Sequence, residues 1–114
     1  MSRTDKVYLN DILESIELIL GYIEGKQEYD FLKDIMLQDA VIRRYEIIGE
    51  ASSKISETIK QANPHIQWRL MKAMRNKLTH EYFGVSAHTI FASIHFDLPV
   101  LKEQLIKLNE TFLD

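Results

Sequence analysis

The sequence predicts an all-α fold, an antiparallel bundle of four to five helices, and three observations carry that reading. Apolar residues recur at three- and four-residue spacing through long stretches of the chain. Glycine and proline are scarce, 4 and 2 in 114 residues, too few for the turns of an all-β chain. The chain is 46% hydrophobic and 27% charged, apolar enough to bury a core and not polar enough to be disordered. At this length one domain is expected, residues 1–114.

Leu9, Ile12, Leu13, Ile16, Ile19, Leu20 and Ile23 follow one helix face, so a first helix is expected over about 5–24, capped by Thr4 or Asp5 and stopped near Gly25. Asp30 is expected to cap a short turn carrying Phe31 and Leu32. A second, longer pattern runs through Ile35, Val41, Tyr45, Ile48, Ala51, Ile55 and Ile59 and predicts a helix over about 34–61, ended by Asn63-Pro64. Gly49 inside it costs about 1 kcal/mol against alanine; close approach of another helix would account for it. Trp68, Leu70, Met71, Met74 and Leu78 predict a third helix over about 66–82 with Gly84 as its stop. Ser86 can cap a fourth, whose buried face includes Ile90, Phe91, Ile94, Leu98, Leu101 and Leu105. Pro99 falls inside that pattern and predicts a kink near Ile94–Leu98. Tyr22, Tyr29, Phe31, Phe83, Phe91 and Phe96 sit mostly at core spacing.

The absence of cysteine excludes a disulfide framework, a thiolate metal site and a cysteine nucleophile. The start, Met1-Ser2-Arg3-Thr4-Asp5-Lys6, lacks the apolar run of a signal peptide, and no stretch has the length of a membrane span. A cytoplasmic protein without membrane contact is the expectation. The net charge of -3 hides a segregation. Residues 1–59 hold 7 basic and 12 acidic side chains, whereas residues 60–80 hold Lys60, Arg69, Lys72, Arg75 and Lys77 with no acid. Such a block is either a solvated helix face or a local phosphate site on an acidic chain.

No metal site, Gly-rich phosphate loop or nucleophile elbow is legible, so neither a metal nor a cofactor is expected. His65 is expected to be exposed. His88 and His95 share a stripe but have no carboxylate at ligand spacing. Glu46 and Glu50 could pair with Arg43 or Arg44 on their own helix, or reach Arg75 across the bundle. The segment from Arg75 to Tyr82 gathers a guanidinium, an amide, an imidazole and a phenol at the end of the basic block. Arg75 and Tyr82 share a stripe, Asn76 can face His80, and His80 lies about 140° around an ideal helix from Arg75. A fraying last turn, or a second copy of the helix facing the first, could bring Arg75 and His80 together. Such a set suits metal-free phosphodiester cleavage. The RNA 2′-hydroxyl is the nucleophile, histidine moves its proton, and arginine holds the phosphate. The competing reading makes His80 a helix-end histidine, Arg75 a surface cation and Tyr82 packing.

The run Arg75-Asn76-Lys77-Leu78-Thr79-His80-Glu81-Tyr82 resembles the Arg-x4-His-x-Tyr signature of HEPN domains of the HepT toxin type. Flanking blocks extend the resemblance over nearly the whole chain: Leu37 to Val41, Tyr45 to Ala51, Asn63-Pro64, Trp68, Phe83-Gly84-Val85 and Asp97-Leu98-Pro99. Thr79 stands where that pattern has a more apolar or small residue. The resemblance implies a helical homodimer in which two Arg-x4-His motifs meet at a cleft. It implies a metal-independent endoribonuclease, the toxin of a type VII-like toxin–antitoxin pair, whose antitoxin is an MNT-type minimal nucleotidyltransferase that transfers AMP to the motif tyrosine. Carried over, Arg75 and His80 are catalytic, Asn76 is supporting and Tyr82 is the modification site. Arg69, Lys72 and Lys77 are expected to contact RNA phosphates; DNA is not expected as a partner. The dimer is expected to bury a face lined partly by the third helix and the C-terminal part of the second. The alternatives are a non-catalytic dimer that serves as scaffold and AMP-acceptor for its nucleotidyltransferase, and a nucleotide-binding bundle whose Arg75 and Lys72 hold ATP phosphates.

Overall fold

A computed structural model describes residues 2–80 and 86–112, with Arg3 and residues 77–80 described by their backbone alone. The fold is all-α. Among the described residues there are seven helices and no strand: α1 (Arg3–Tyr22), α2 (Glu28–Lys33), α3 (Ile35–Lys54), α4 (Glu57–Ala62), α5 (Trp68–His80), α6 (Ala87–Phe96) and α7 (Leu98–Glu110). The count exceeds the expected four to five because local caps divide two of the long apolar patterns and the short turn is itself a helix.

α3 is the central element, packed between α1 and α5, while α7 lies on α1 and α6 on α2 and α7. Leu9, Ile12, Ile16 and Ile19 of α1 are fully buried, as expected from their spacing. They meet a core that includes Val41, Tyr45 and Ile48 of α3 and Leu98, Leu101 and Leu105 of α7. Each such side chain contributes roughly 1.5–3 kcal/mol by leaving water. Phe31 is buried against Phe91, with ring centroids 5.5 Å apart. Tyr29 and Phe96 depart from the core expectation and are 69% and 78% exposed. No helix among the described residues is long and apolar enough to cross a membrane.

The first helix begins two residues early because Ser2, not Thr4 or Asp5, is its cap, its hydroxyl accepting from the Asp5 N–H at 3.0 Å. That frees the Asp5 carboxylate for a longer reach. One oxygen accepts from the Ser56 N–H at 2.9 Å and the other from the Ser56 hydroxyl at 3.0 Å. The helix expected over 34–61 is therefore broken. α3 ends at Lys54, Ile55 is extended, and Ser56 caps α4. A serine inside an apolar repeat offered a second helix start, and Asp5 from another helix holds it there. The same contact brings the start of α1 to the end of α3, so the two helices run antiparallel.

In α2 the cap is Gln27 rather than Asp30, whose carboxylate accepts from the Gln27 N–H at 2.9 Å. α5 starts at Trp68, later than expected, because Trp68 Nε1 donates to the Asn63 carbonyl at 3.0 Å and Ile66 is buried in the intervening turn. The expected end of that helix at Tyr82 and Gly84 lies outside the described residues. Ser86 caps α6 as expected, accepting from the Thr89 N–H at 3.1 Å. The kink expected near Ile94–Leu98 is a full break. Asp97 separates α6 from α7 and Pro99 sits in the first turn of α7, where its missing N–H has no intrahelical partner to lose. A half-buried relay anchors the junction: the Tyr45 hydroxyl lies 3.0 Å from Ser93 Oγ, and Ser93 donates to Asp97 Oδ2 at 3.0 Å. Burial pushes the Tyr45 hydroxyl pKa well up, against the opposing effect of the Ser93 bond, so tyrosine stays a neutral donor.

Gly49 is where α3 and α5 touch. A Cβ there would overlap Arg75 Cβ and lie 2.8 Å from both Cγ and Cδ. The close approach inferred from the sequence is thus real, with Arg75 as the neighbour. Gly49→Ala should destabilise the fold by about 1–3 kcal/mol. Gly21→Ala, where nothing lies within 4 Å of the added carbon, should be neutral or stabilising by up to about 1 kcal/mol. Urea denaturation of the two variants checks the contrast.

The Asp5 clamp predicts a pH dependence. Burial raises the Asp5 pKa, but the hydrogen bonds from Ser56 and Ser2 outweigh it and leave it below its ordinary 3.8. Its contribution is fully present above that ordinary value and is lost as pH falls through the lower folded value. Stability should drop on acidification through this range, and Asp5→Asn should be less stable near neutrality with a shallower acid decline, read from urea midpoints at stepped pH.

Candidate functional site

The basic block folds into α4, the following turn and α5, and the sequence-predicted site residues are distributed along α5. Arg75 is the best defined. Its stem lies on Gly49, and its side chain is only 25% exposed. Nε and Nη2 both donate to Asn76 Oδ1, at 3.2 and 2.9 Å, and Nη1 lies 3.6 Å from Glu50 Oε2. A guanidinium carries five N–H donors, so this clamp fixes its plane and leaves donors for a phosphate.

Asn76 therefore spends its amide oxygen on Arg75, a partner the sequence reading did not weigh for it. The side chains of Lys77 and His80 lie outside the description, and Tyr82 lies outside the described residues altogether. What is described of His80 is its place as the last residue of α5, five positions after Arg75. Arg69 and Lys72 are exposed on the first half of α5. The two readings of Glu46 and Glu50 both hold, one for each residue. Glu46 pairs with Arg43 on its own helix at 3.5 Å, and Glu50 reaches Arg75 across the bundle.

The remaining histidines are peripheral. His65 is exposed, as expected. His95 sits edge-on to Phe91, ring centroids 4.6 Å apart. His88 pairs through Nδ1 with Glu28 of α2, a carboxylate sixty residues away that helical spacing could not reveal. Among the described residues, no three His, Asp or Glu side chains are placed to hold a metal ion.

Two hollows flank the Arg75 region. One, about 430 Å3, lies between α1 and α3 and carries Asp11, Glu46 and Glu50 beside Arg43 and Lys54. The other, about 800 Å3, lies between α4 and the start of α5 and is lined by Lys60, Trp68, Arg69 and Lys72, with Glu57 as its one acid. The cations of the groove are legible in the sequence and Trp68 as part of it is not; an aromatic within an acid-free basic block was the available signal.

Comparison with known proteins places this geometry in context. A family described as Ribonuclease HepT-like matches residues 12–108. A protein of Thermococcus cleftensis named "Probable ribonuclease HepT" is 46% identical over 110 residues, covering 96% of this chain and 100% of that protein. "Gamma-glutamylcyclotransferase and putative RNase MJ0434" of Methanocaldococcus jannaschii is 44% identical over 110 residues, 96% of this chain, which spans only 50% of that longer protein. "Putative RNase TTE0752" of Caldanaerobacter subterraneus is 35% identical over 103 residues, 90% of this chain and 92% of that protein. No solved structure matches the chain.

The clamp around Arg75 makes a prediction independent of activity. Asn76→Ala should speed solvent exchange of the Arg75 Nε–H, followed by NMR, because its acceptor is gone. Glu50→Gln should change unfolding free energy by less than about 1 kcal/mol, since the glutamate is 62% exposed and such pairs contribute little.

Proposed function

We infer the function from one premise: the chain belongs to the HepT-like (HEPN) ribonuclease family. On that basis the protein is a metal-independent endoribonuclease, with RNA as its substrate and Arg75 and His80 as its catalytic residues. The observation that carries this reading is the Arg75 guanidinium. It is partly buried, oriented by Asn76, and placed on the same helix as His80 at the end of a block without acids.

The chemistry follows from these groups. The RNA 2′-hydroxyl attacks the adjoining phosphorus and the 5′-oxygen leaves. His80 takes or gives the protons near neutral pH. Arg75 binds the phosphate through two parallel N–H donors and stabilises charge growing on its oxygens. Asn76 holds Arg75 in plane, and Arg69, Lys72 and Lys77 contact flanking phosphates. His80 is five positions on from Arg75, about 140° around α5, so the reading requires a homodimer in which the two motifs complete one cleft. The protein acts as the toxin of a toxin–antitoxin pair with an MNT-type nucleotidyltransferase. That partner moves AMP from ATP to the Tyr82 oxygen, with pyrophosphate leaving and the phenol proton lost. The added phosphodiester brings negative charge and a bulky base to the motif, repelling RNA and filling the cleft.

Arg75→Met, which keeps an apolar stem against Gly49, and His80→Ala should each abolish cleavage while remaining folded. Mixed and re-assembled, the two variants should recover cleavage that neither shows alone, because a mixed dimer keeps one intact Arg75 opposite one intact His80. EDTA should leave the wild-type rate unchanged. Failure to complement with both variants folded and dimeric would reject the composite site, and inhibition by EDTA would reject the metal-free mechanism.

Co-expression with the adjacent nucleotidyltransferase should add AMP mass to the peptide containing Tyr82, and Tyr82→Phe should remove the adduct and the silencing. Adducts mapping elsewhere would reject this mechanism. Adducts on Tyr82 in a protein that cleaves no RNA would favour the scaffold reading instead.

A further inference from the structure

We propose that the groove between α4 and the start of α5 docks the single-stranded RNA segment next to the scissile phosphate, with Trp68 as its base-stacking platform and Lys60, Arg69 and Lys72 as its phosphate contacts. The proposal rests on the ribonuclease reading and adds to it a path for the substrate beyond the motif.

Three observations point to this occupant. The first is size and shape: the groove, about 800 Å3, is open along one side and large enough for a nucleotide. The second is charge. Lys60, Arg69 and Lys72 line it against the single acid Glu57, and none of the three cations makes an ion pair with a described residue. Cations that converge on one hollow without counter-ions favour a polyanion. The hollow on the other side of the Arg75 region sets Asp11, Glu46 and Glu50 against Arg43 and Lys54, an excess of acid that favours phosphate less than the groove does. A strand held at Arg75 is therefore steered toward Lys72 and Lys60. The third is Trp68 itself. It is half-buried, and its polar edge is already satisfied by the Asn63 carbonyl at 3.0 Å, so the indole is held in place and offers its apolar surface. Aromatic platforms beside tracks of cations are how proteins hold single strands without reading sequence.

Continuity with the motif follows from helix geometry. Arg69 and Asn76 are seven residues apart on α5, on one stripe and roughly 10 Å apart along the axis. The groove thus opens onto the same face that carries the Asn76 clamp. An acidic protein segment would satisfy the cations but would have no need of an indole platform continuous with a phosphate site.

Trp68 is the chain's one tryptophan, so its fluorescence reports this groove alone. The experiment titrates the wild-type protein with a single-stranded 2′-O-methyl RNA oligonucleotide, which lacks the attacking hydroxyl and stays intact. Saturable quenching of Trp68 is expected. Lys60→Glu should raise Kd by about tenfold and lower the salt slope by roughly 0.7 for its lost phosphate contact. Lys26→Glu, the same charge reversal away from the groove, should leave both nearly unchanged. With unmodified RNA, Lys60→Glu should act on KM rather than kcat. Oligonucleotide binding seen by anisotropy with unaltered Trp68 fluorescence, or equal effects of Lys60→Glu and Lys26→Glu, would overturn the groove and leave the ribonuclease intact. A loss of dimer mass in Lys60→Glu would overturn it in favour of a contact between copies. Quenching of Trp68 by an acidic peptide but not by the oligonucleotide would assign the groove to a protein partner. Quenching by the oligonucleotide without cleavage of unmodified RNA would instead sink the ribonuclease reading and keep the groove.

Discussion

The contact of Gly49 with Arg75 is the constraint on which the rest of the site depends. α3 and α5 approach so closely that no side chain fits at position 49, and the atoms filling that space belong to Arg75. The residue that carries the positive charge is thus also the residue that packs the crossing. Its stem is fixed by sterics, its plane by Asn76, and one edge by Glu50. A guanidinium ordered before substrate arrives loses less conformational entropy on binding a phosphate than a free surface arginine would. The crossing therefore ties the packing of α3 on α5 to the placement of one guanidinium, and glycine at position 49 is what permits it.

Two half-buried polar contacts set where the helices break, and the breaks shape the surface around α5. Asp5 holds Ser56 and so separates α3 from α4. Without that break α3 would run on past Ile55 and the groove beside Trp68 would have no wall from α4. The relay of Tyr45, Ser93 and Asp97 does the corresponding work at the junction of α6 and α7, and Met74, next to Arg75 in α5, lies 3.6 Å from the same serine. In both places a polar group drawn partly out of water finds hydrogen-bond partners, which keeps the cost of covering it tolerable.

Charge is organised by the same framework. Asp11, Glu46 and Glu50 lie together in the hollow between α1 and α3, and the cations Lys60, Arg69 and Lys72 lie together on α4 and α5. An acidic protein thereby presents one face suited to a polyanion, and the local field there is opposite in sign to what the net charge of -3 suggests.

Helical class, the core faces of α1 and α7 and the family were legible in the sequence, because periodicity and residue type are local properties. The need for close packing at Gly49 was legible as well, since a glycine in mid-helix is costly without a reason. The partner of that glycine was not. Nor were the breaks at Ser56 and Asp97, the exposure of Tyr29 and Phe96, the pairing of His88 with Glu28, or the groove at Trp68. Each of these depends on groups far apart in the chain. A serine can continue a helix or start one, and only the arrival of Asp5 decides between them. Local spacing fixed what each segment could become, and tertiary contact selected among those options, because the free energy of a cap, an ion pair or a crossing exists only once both partners are in place.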